Sequence, residues 1–247
     1  MTLLDHLFVV VVLGLVFPVY GWWAYRLFLQ RLKREGGAAL VREYRYTLVW
    51  LLGLGLAAMA LWQIAGRDWA AMGFAAPGSS GIATGIAAGA FAGLALRPLI
   101  VAFSAKAAAG MRRQFGELEA FLPRTGQQLR WGLLVSVFAG LFEEIAYRGY
   151  LMAYFGTWLD QWGALAASSL LFGLAHAYQG KWGVPVTALL GALFGWVYIE
   201  TGSLLLPILL HIAVDVSAMV TAWIVLHTRA EAGSAEPICP ADASAGP

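Results

Sequence analysis

Seven long runs of apolar residues constrain the fold of this chain more than any other feature. A helix of about 20 apolar residues crosses the hydrocarbon core of a bilayer, and backbone groups in lipid must be satisfied within the protein. The chain is 60% hydrophobic and 12% charged, whereas soluble domains are roughly 25% charged. We therefore predict an all-α, polytopic transmembrane helical bundle of about seven spans, with six to eight as the range. The predicted spans are Leu4–Leu29, Tyr46–Ile64, Ile82–Phe103, Leu129–Phe155, Trp162–Tyr178, Val184–Ile199 and Leu204–His227.

The basic residues indicate how these spans are oriented. They concentrate in the connections after the first and third spans, and Arg67 falls on the opposite side. Because cytoplasmic loops of membrane proteins are enriched in Lys and Arg, we expect the N-terminus outside and the C-terminus in the cytoplasm. The lipid bilayer is then the first partner. The formal net charge of +2 is no indication of nucleic acid, and we expect no nucleic-acid partner.

Two adjacent acids, Glu143 and Glu144, stand inside the fourth apolar run. A charged residue at the centre of a transmembrane helix costs about 2.5–3.5 kcal/mol on the translocon insertion scale, and such residues are functional by default. Arg148 follows Glu144 at i+4, so an ion pair on one helix face is expected. Glu143 points about 100° away from Glu144, which leaves its carboxylate available for another task.

Histidines occur in later apolar runs. His176 ends the segment Phe172-Gly-Leu-Ala-His176, and His211 and Asp215 are spaced i,i+4 in the last run. A carboxylate at this spacing can hold an imidazole in one tautomer. A hydrogen-bonded pair with a purely structural role is an equal alternative from the spacing alone.

Together, these motifs resemble the CPBP family of intramembrane endopeptidases, which includes the type II CAAX prenyl endopeptidases and the bacterial Abi proteins. The matching elements are Glu-Glu-x-x-x-Arg (residues 143–148), Phe-x-x-x-His (172–176) and His-x-x-x-Asp (211–215), in the order of the family. The resemblance covers roughly residues 122–223. It implies an intramembrane protease of the bacterial inner (cell) membrane, and a membrane-anchored protein or peptide as substrate.

The resemblance also implies a role for each site residue. Glu143 is expected to activate water with help from His176, while His211 and Asp215 stabilise the oxyanion, and Glu144 and Arg148 organise the site. The family often has Asn at the position of Asp215. Because an ionised Asp cannot donate a hydrogen bond, Asp215 is expected to orient His211 or to stay protonated.

The sequence leaves a cofactor open. Glu143, His176 and His211 form a possible ligand set for a divalent metal such as zinc, but a His-Glu-x-x-His helix is absent from the sequence. We favour metal-free, glutamate-activated water. The alternatives are a metal-dependent version of the same protease, or a non-catalytic scaffold or a transporter that uses the same buried polar cluster.

Three regions follow from these patterns. Residues 1–121 are expected to hold the N-terminal spans and cytoplasmic loops, 122–227 the CPBP-like catalytic core, and 228–247 a disordered tail.

The glycines of the third span, residues 81, 85, 89 and 93, have a spacing of four, which predicts close helix packing. In simple antiparallel helices, His176 lies nearer the inner face than Glu143. We therefore expect the fifth span to begin later or to break around Gly173 and Gly180.

Overall fold

The computed structural model describes residues 1–233, and this part of the chain contains eight helices and no β-strand. The helices are α1 (Leu3–Glu35), α2 (Gly37–Ile64), α3 (Gly81–Phe103), α4 (Ala105–Gln114), α5 (Gly126–Phe155), α6 (Gln161–Ala175), α7 (Gly183–Thr201) and α8 (Leu205–Gly233). Two helices contain π-helical turns, at Phe8–Val16 in α1 and Ile145–Leu151 in α5. The predicted all-α fold is confirmed.

Seven of these helices correspond to the seven predicted spans. Five of them, α1, α2, α3, α7 and α8, are long and apolar enough to cross a membrane. Helix α6 is shorter, with 15 residues, and α5 carries the buried charges. Helix α4 occupies the charged connection between α3 and α5. A bundle of about seven spans is therefore consistent with the structure, and the protein is an integral membrane protein.

Four of the helices that follow a break between apolar runs begin with a polar cap. Ser80, Ser104 and Asp160 accept backbone N–H groups at the starts of α3, α4 and α6. Thr125 and Gln128 form a capping box at the start of α5, which satisfies backbone donors that the helix itself leaves unpaired. The side chain of Gln128 also donates to the carbonyl of Gly37, so this cap joins α5 to α2.

Helix α5 lies between α2 and α8, while α6 packs along α7. Small residues allow the close approach of α5 to α8. A Cβ on Gly140 would lie 2.8 Å from the backbone nitrogen of Ile212, a distance that backbone atoms cannot accommodate. This contact brings the acidic pair of α5 next to His211 on α8.

The prediction for the glycines of α3 is wrong within the described part of the chain. A Cβ on Gly81, Gly85, Gly89 or Gly93 would meet no atom within 4 Å. Helix α3 contacts α8 through other positions, such as Ala83 and Ala87, which are buried. A spacing of four places residues on one face, but it does not determine whether that face meets a neighbouring helix.

A polar network secures the end of α5 to the N-terminal helix. Asp5 is 1% exposed and accepts hydrogen bonds from the Arg67 guanidinium and the Tyr150 hydroxyl. The hydrogen bond to Asp5 raises the pKa of Arg67 above its usual value. The Nδ1 of His6 lies 2.7 Å from the Tyr154 hydroxyl. These contacts connect α1 and the loop after α2 to the helix that carries Glu143.

The last helix extends further than the sequence indicates. Helix α8 continues to Gly233, so residues 228–233, which we assigned to the tail, are helical. Residues 234–247 of the predicted disordered tail lie outside the described residues.

Candidate active site

The acidic pair lies where α5 changes its hydrogen-bonding pattern. The α-helical part of α5 ends at Glu144, and a π-helical stretch covers Ile145–Leu151. All seven residues of this stretch are buried. The carbonyl of Tyr147 accepts a hydrogen bond from the Ser168 hydroxyl at 2.7 Å. π-helical turns are rare and often mark functional sites, and this one begins directly after the acidic pair and contains Arg148.

Glu144 and Arg148 form the predicted ion pair. Arg148 Nη1 donates to Glu144 Oε1 at 2.8 Å, and the two side chains are 1% and 0% exposed. The guanidinium also lies 4.3 Å from the ring centroid of Phe172, a distance at which a cation is attracted to the aromatic face. The expected pairing on one face of α5 is confirmed.

Glu144 also holds His211, which the sequence did not predict. His211 Nδ1 lies 2.7 Å from Glu144 Oε1, the same oxygen that Arg148 contacts. An ionised carboxylate can only accept a hydrogen bond, so Nδ1 carries the proton and Nε2 faces the cavity. The closest contact of Asp215 to the ring is 3.8 Å, from its Oδ2 to Nε2, which is too long for a hydrogen bond. The expectation that Asp215 orients His211 is therefore corrected, and Glu144 has this role.

His176 reaches the site because α6 ends before it. The helix stops at Ala175, one 3₁₀ turn covers Ala177–Gln179, and Gly180 has a φ of +86°. Straight helices would place His176 and Glu143 at different depths. The break in α6 brings His176 to the depth of Glu143. His176 Nδ1 donates to the carbonyl of Phe172 at 2.8 Å, so its Nε2 also faces the cavity.

Glu143 lies between the two imidazoles. Its Oε2 is 3.9 Å from His176 Nε2 and 3.8 Å from His211 Nε2. This oxygen is buried and has no hydrogen-bond partner among the residues that the structure describes. The separations are too long for direct hydrogen bonds, but a water at about 2.8 Å from two of these atoms fits between them. All six predicted site residues are thus brought together around Glu143.

The cluster opens into a cavity of about 880 Å³. The cavity is lined by Glu143, His176, His211 and Asp215, and also by Arg31 and Glu43. The rest of its walls are mostly apolar and aromatic, and they include Tyr20, Trp50, Leu51, Phe121 and Phe172. A mainly apolar cavity with a few convergent polar groups is typical of a ligand site.

Two aromatic residues to which the sequence analysis assigned no role pack against the imidazoles. The Phe194 ring stacks on His211 with a centroid distance of 5.2 Å, and Phe172 packs against His176 at 4.6 Å. Phe172 was part of a motif but had no assigned role. No local sequence pattern marks Phe194, because its contact with His211 depends on the packing of α7 against α8.

The possible metal ligands Glu143, His176 and His211 lie together but are more widely spaced than zinc ligands. Tetrahedral zinc with ligands at about 2.0–2.1 Å places ligand atoms roughly 3.3 Å apart, and Glu143 Oε2 is 3.8–3.9 Å from the two nitrogens. Among the side chains that the structure describes, no group of three or more His, Cys, Asp or Glu is close enough to hold a metal. His211 Nδ1 and His176 Nδ1 donate hydrogen bonds, as the histidines of metal sites also do, and each ring keeps its Nε2 free for a water or a metal.

Gly191 of α7 provides the space for the Arg148 guanidinium. A Cβ at this position would lie 2.9 Å from Arg148 Nη2 and 3.1 Å from the Phe172 ring. We expect Gly191→Ala to lower the free energy of unfolding by about 1–3 kcal/mol, because overpacking displaces buried groups. Thermal unfolding in detergent micelles, followed by tryptophan fluorescence, measures this change.

Gly195→Ala is the matched control for that substitution. Gly195 lies one turn further along α7, and its Cβ would meet mainly flexible side chains of Leu165 and Met152 at 3.3–3.5 Å. The control variant should retain more stability than Gly191→Ala. Equal stability of the two variants would show that the contact with Arg148 is unimportant.

Comparison with known proteins identifies this region. Residues 125–217 match the family model described as Type II CAAX prenyl endopeptidase Rce1-like. No curated protein and no solved structure matches the chain significantly. The matched segment contains Glu143, His176, His211 and Asp215, together with the groups that hold them. The segment from 125 to 217, which holds the site, is thus similar to the Rce1-like domains of the CPBP family of intramembrane endopeptidases.

Proposed function

We propose that the protein hydrolyses a peptide bond of a membrane-associated substrate, near the substrate's C-terminus, with water activated by Glu143. One observation carries this proposal: Glu143 Oε2 faces Nε2 of both His176 and His211 at 3.8–3.9 Å, in the wall of a large cavity. A carboxylate and an imidazole acceptor at this separation can hold one water between them.

The reaction follows from the available hydrogen bonds. Water donates to Glu143 and to Nε2 of His176, Glu143 takes a proton, and the oxygen bonds to the scissile carbonyl carbon. His211, when protonated, donates through Nε2 to the oxyanion. The C–N bond then breaks, and Glu143 returns its proton to the leaving amine. Asp215 lies 3.8 Å from the same Nε2 and supports the protonated imidazole by its charge.

The lining of the cavity supports a C-terminal segment as the substrate. Besides aromatic walls, it includes the pair Arg31 and Glu43, whose charged atoms are 3.5 Å apart. Arg31 belongs to the basic connection that we place on the cytoplasmic side. A substrate tail would therefore enter from the cytoplasm, with its membrane anchor next to the apolar walls. The family description names prenylated CAAX proteins, so a farnesylated CAAX peptide is the first substrate to test.

The experiment compares C-terminal peptides of membrane proteins by mass spectrometry. Membranes from cells that lack the protein are incubated with proteoliposomes that contain the purified enzyme, and a farnesylated CAAX peptide is tested in parallel. We expect shortened C-termini to appear only with the enzyme. If no membrane protein or peptide is shortened, the protease proposal is wrong, and a scaffold or transporter becomes the better explanation.

A chelation experiment tests the glutamate mechanism that we propose. After extensive dialysis against a strong zinc chelator, cleavage by the proteoliposomes should stay within about twofold of the untreated rate, because the proposed steps use the protein's own acids and bases. Chelator that has itself been saturated with zinc is the control. A large loss that added zinc reverses would instead support the metal-dependent alternative.

A further inference from the structure

Tyr147 has a buried hydroxyl that no contact in the structure explains. The side chain is 1% exposed, and its Oη has no hydrogen-bond partner among residues 1–233. Of the seven buried side-chain atoms without such a partner in this part of the chain, four belong to residues 143–148. Buried polar groups are rarely unpaired, and the exceptions often have a catalytic reason.

The ring of Tyr147 belongs to the same cavity as the reacting groups. Tyr147 lines the same cavity as Glu143, His176 and His211, and it follows Glu143 at i+4 on α5. Its ring meets Phe172 edge-on, with centroids 5.1 Å apart. Phe172 in turn contacts both imidazoles. A phenylalanine would make the same ring contact without burying an unpaired hydroxyl, so packing alone does not account for a tyrosine.

The proposed reaction lacks a neutral hydrogen-bond donor. Acyl hydrolysis requires donors directed at the developing oxyanion. His211 donates through Nε2 only when it is protonated, and an ionised Asp215 cannot donate at all. A phenol donates over the whole working pH range below about 10.

We propose that Tyr147 is a catalytic residue that donates a hydrogen bond from its Oη to the oxyanion of the cleavage intermediate. The hydroxyl keeps its proton throughout, so no bond to Tyr147 forms or breaks. This inference rests on the proposed protease function and adds to it a donor at one of the x positions of the first motif.

Tyr147→Phe tests the inference in proteoliposomes, with the farnesylated CAAX peptide and with the membrane proteins found to be shortened. We expect kcat to fall about 10²–10³-fold, as for the loss of one oxyanion donor. The KM should change by no more than about twofold, since the donor acts in the transition state. Thermal unfolding should be unchanged, because the hydroxyl has no partner to lose.

Tyr150→Phe is the matched control. It lies three residues further along the same π-helical stretch and is equally buried, but its hydroxyl donates to Asp5 of α1. This variant should lose thermal stability and keep its kcat. Tyr147→Phe is therefore expected to lose kcat and keep its thermal stability, whereas Tyr150→Phe is expected to lose thermal stability and keep its kcat.

Several outcomes would overturn the inference. Cleavage by Tyr147→Phe at the wild-type rate would show that the hydroxyl is dispensable. Loss of folding or thermal stability in that variant would assign the hydroxyl a structural role instead. If wild-type protein cleaves nothing, the protease function itself fails. If Glu143→Gln is inactive and Tyr147→Phe is fully active, only the role of Tyr147 fails.

Discussion

Replacement of Glu143 by glutamine is expected to lower the cleavage rate about 10²–10⁴-fold, the range typical for loss of a general base. Glutamine keeps the size of the side chain but cannot take a proton from water. Stability should not fall, because Glu143 Oε2 has no hydrogen bond to lose in the described part of the chain and a buried charge is removed. Initial rates in proteoliposomes and thermal unfolding of the same preparation measure both effects.

Glu144→Gln is the informative comparison for that result. It changes the adjacent carboxylate, which accepts hydrogen bonds from Arg148 and His211. We expect this variant to lose stability as well as activity, because Arg148 remains charged and buried without its anion. If Glu143→Gln retained the wild-type rate, another group would have to activate the water.

Replacement of Arg148 by methionine is expected to lower the free energy of unfolding by about 3–5 kcal/mol, the usual result of removing one partner of a buried ion pair. The guanidinium is 1% exposed and contacts both Glu144 and the Phe172 ring. Without it, the Glu144 carboxylate keeps only the His211 hydrogen bond. Thermal and denaturant unfolding in micelles, followed by tryptophan fluorescence, measure the loss.

A double variant separates charge from packing in that experiment. Glu144→Gln/Arg148→Met replaces the ion pair by neutral side chains of similar size, so most of the lost stability should return. Arg124→Met is the surface control: Arg124 pairs with Glu119 but is 53% exposed, and such pairs contribute at most about 1 kcal/mol. An Arg148→Met variant as stable as the Arg124→Met control would contradict the argument.

Local spacing was sufficient to predict contacts within one helix. The Glu144–Arg148 pair follows from the i,i+4 relation on α5, and the seven helices follow from the length of the apolar runs. The same rule failed for His211 and Asp215. They share a face of α8, yet their closest atoms are 3.8 Å apart. A spacing places two side chains side by side, but it does not show that a third residue from another helix binds more closely.

The glycines show the same limit. Four glycines of α3 have the spacing of a packing motif, but a Cβ on any of them would meet no atom within 4 Å. Gly191, which has only Gly195 as a glycine at that spacing, makes room for Arg148. The end of α6 at Ala175 was also only partly predictable. Gly180 marked a break, but the turn that aims His176 at Glu143 depends on contacts with neighbouring helices.

The sequence by itself determined that the chain is a helical membrane protein and which charged side chains lie at depth, because the cost of burying charge in lipid makes each one conspicuous. It also determined the pairing of Glu144 with Arg148, since one helix holds both. The tertiary structure decided that Glu144 is the partner of His211, that Glu143 faces two imidazoles, and that Tyr147 lines the same cavity with a buried hydroxyl that has no partner among the described side chains. These relations join α5, α6 and α8, and the angle and depth at which helices cross depend on side-chain packing along their whole length.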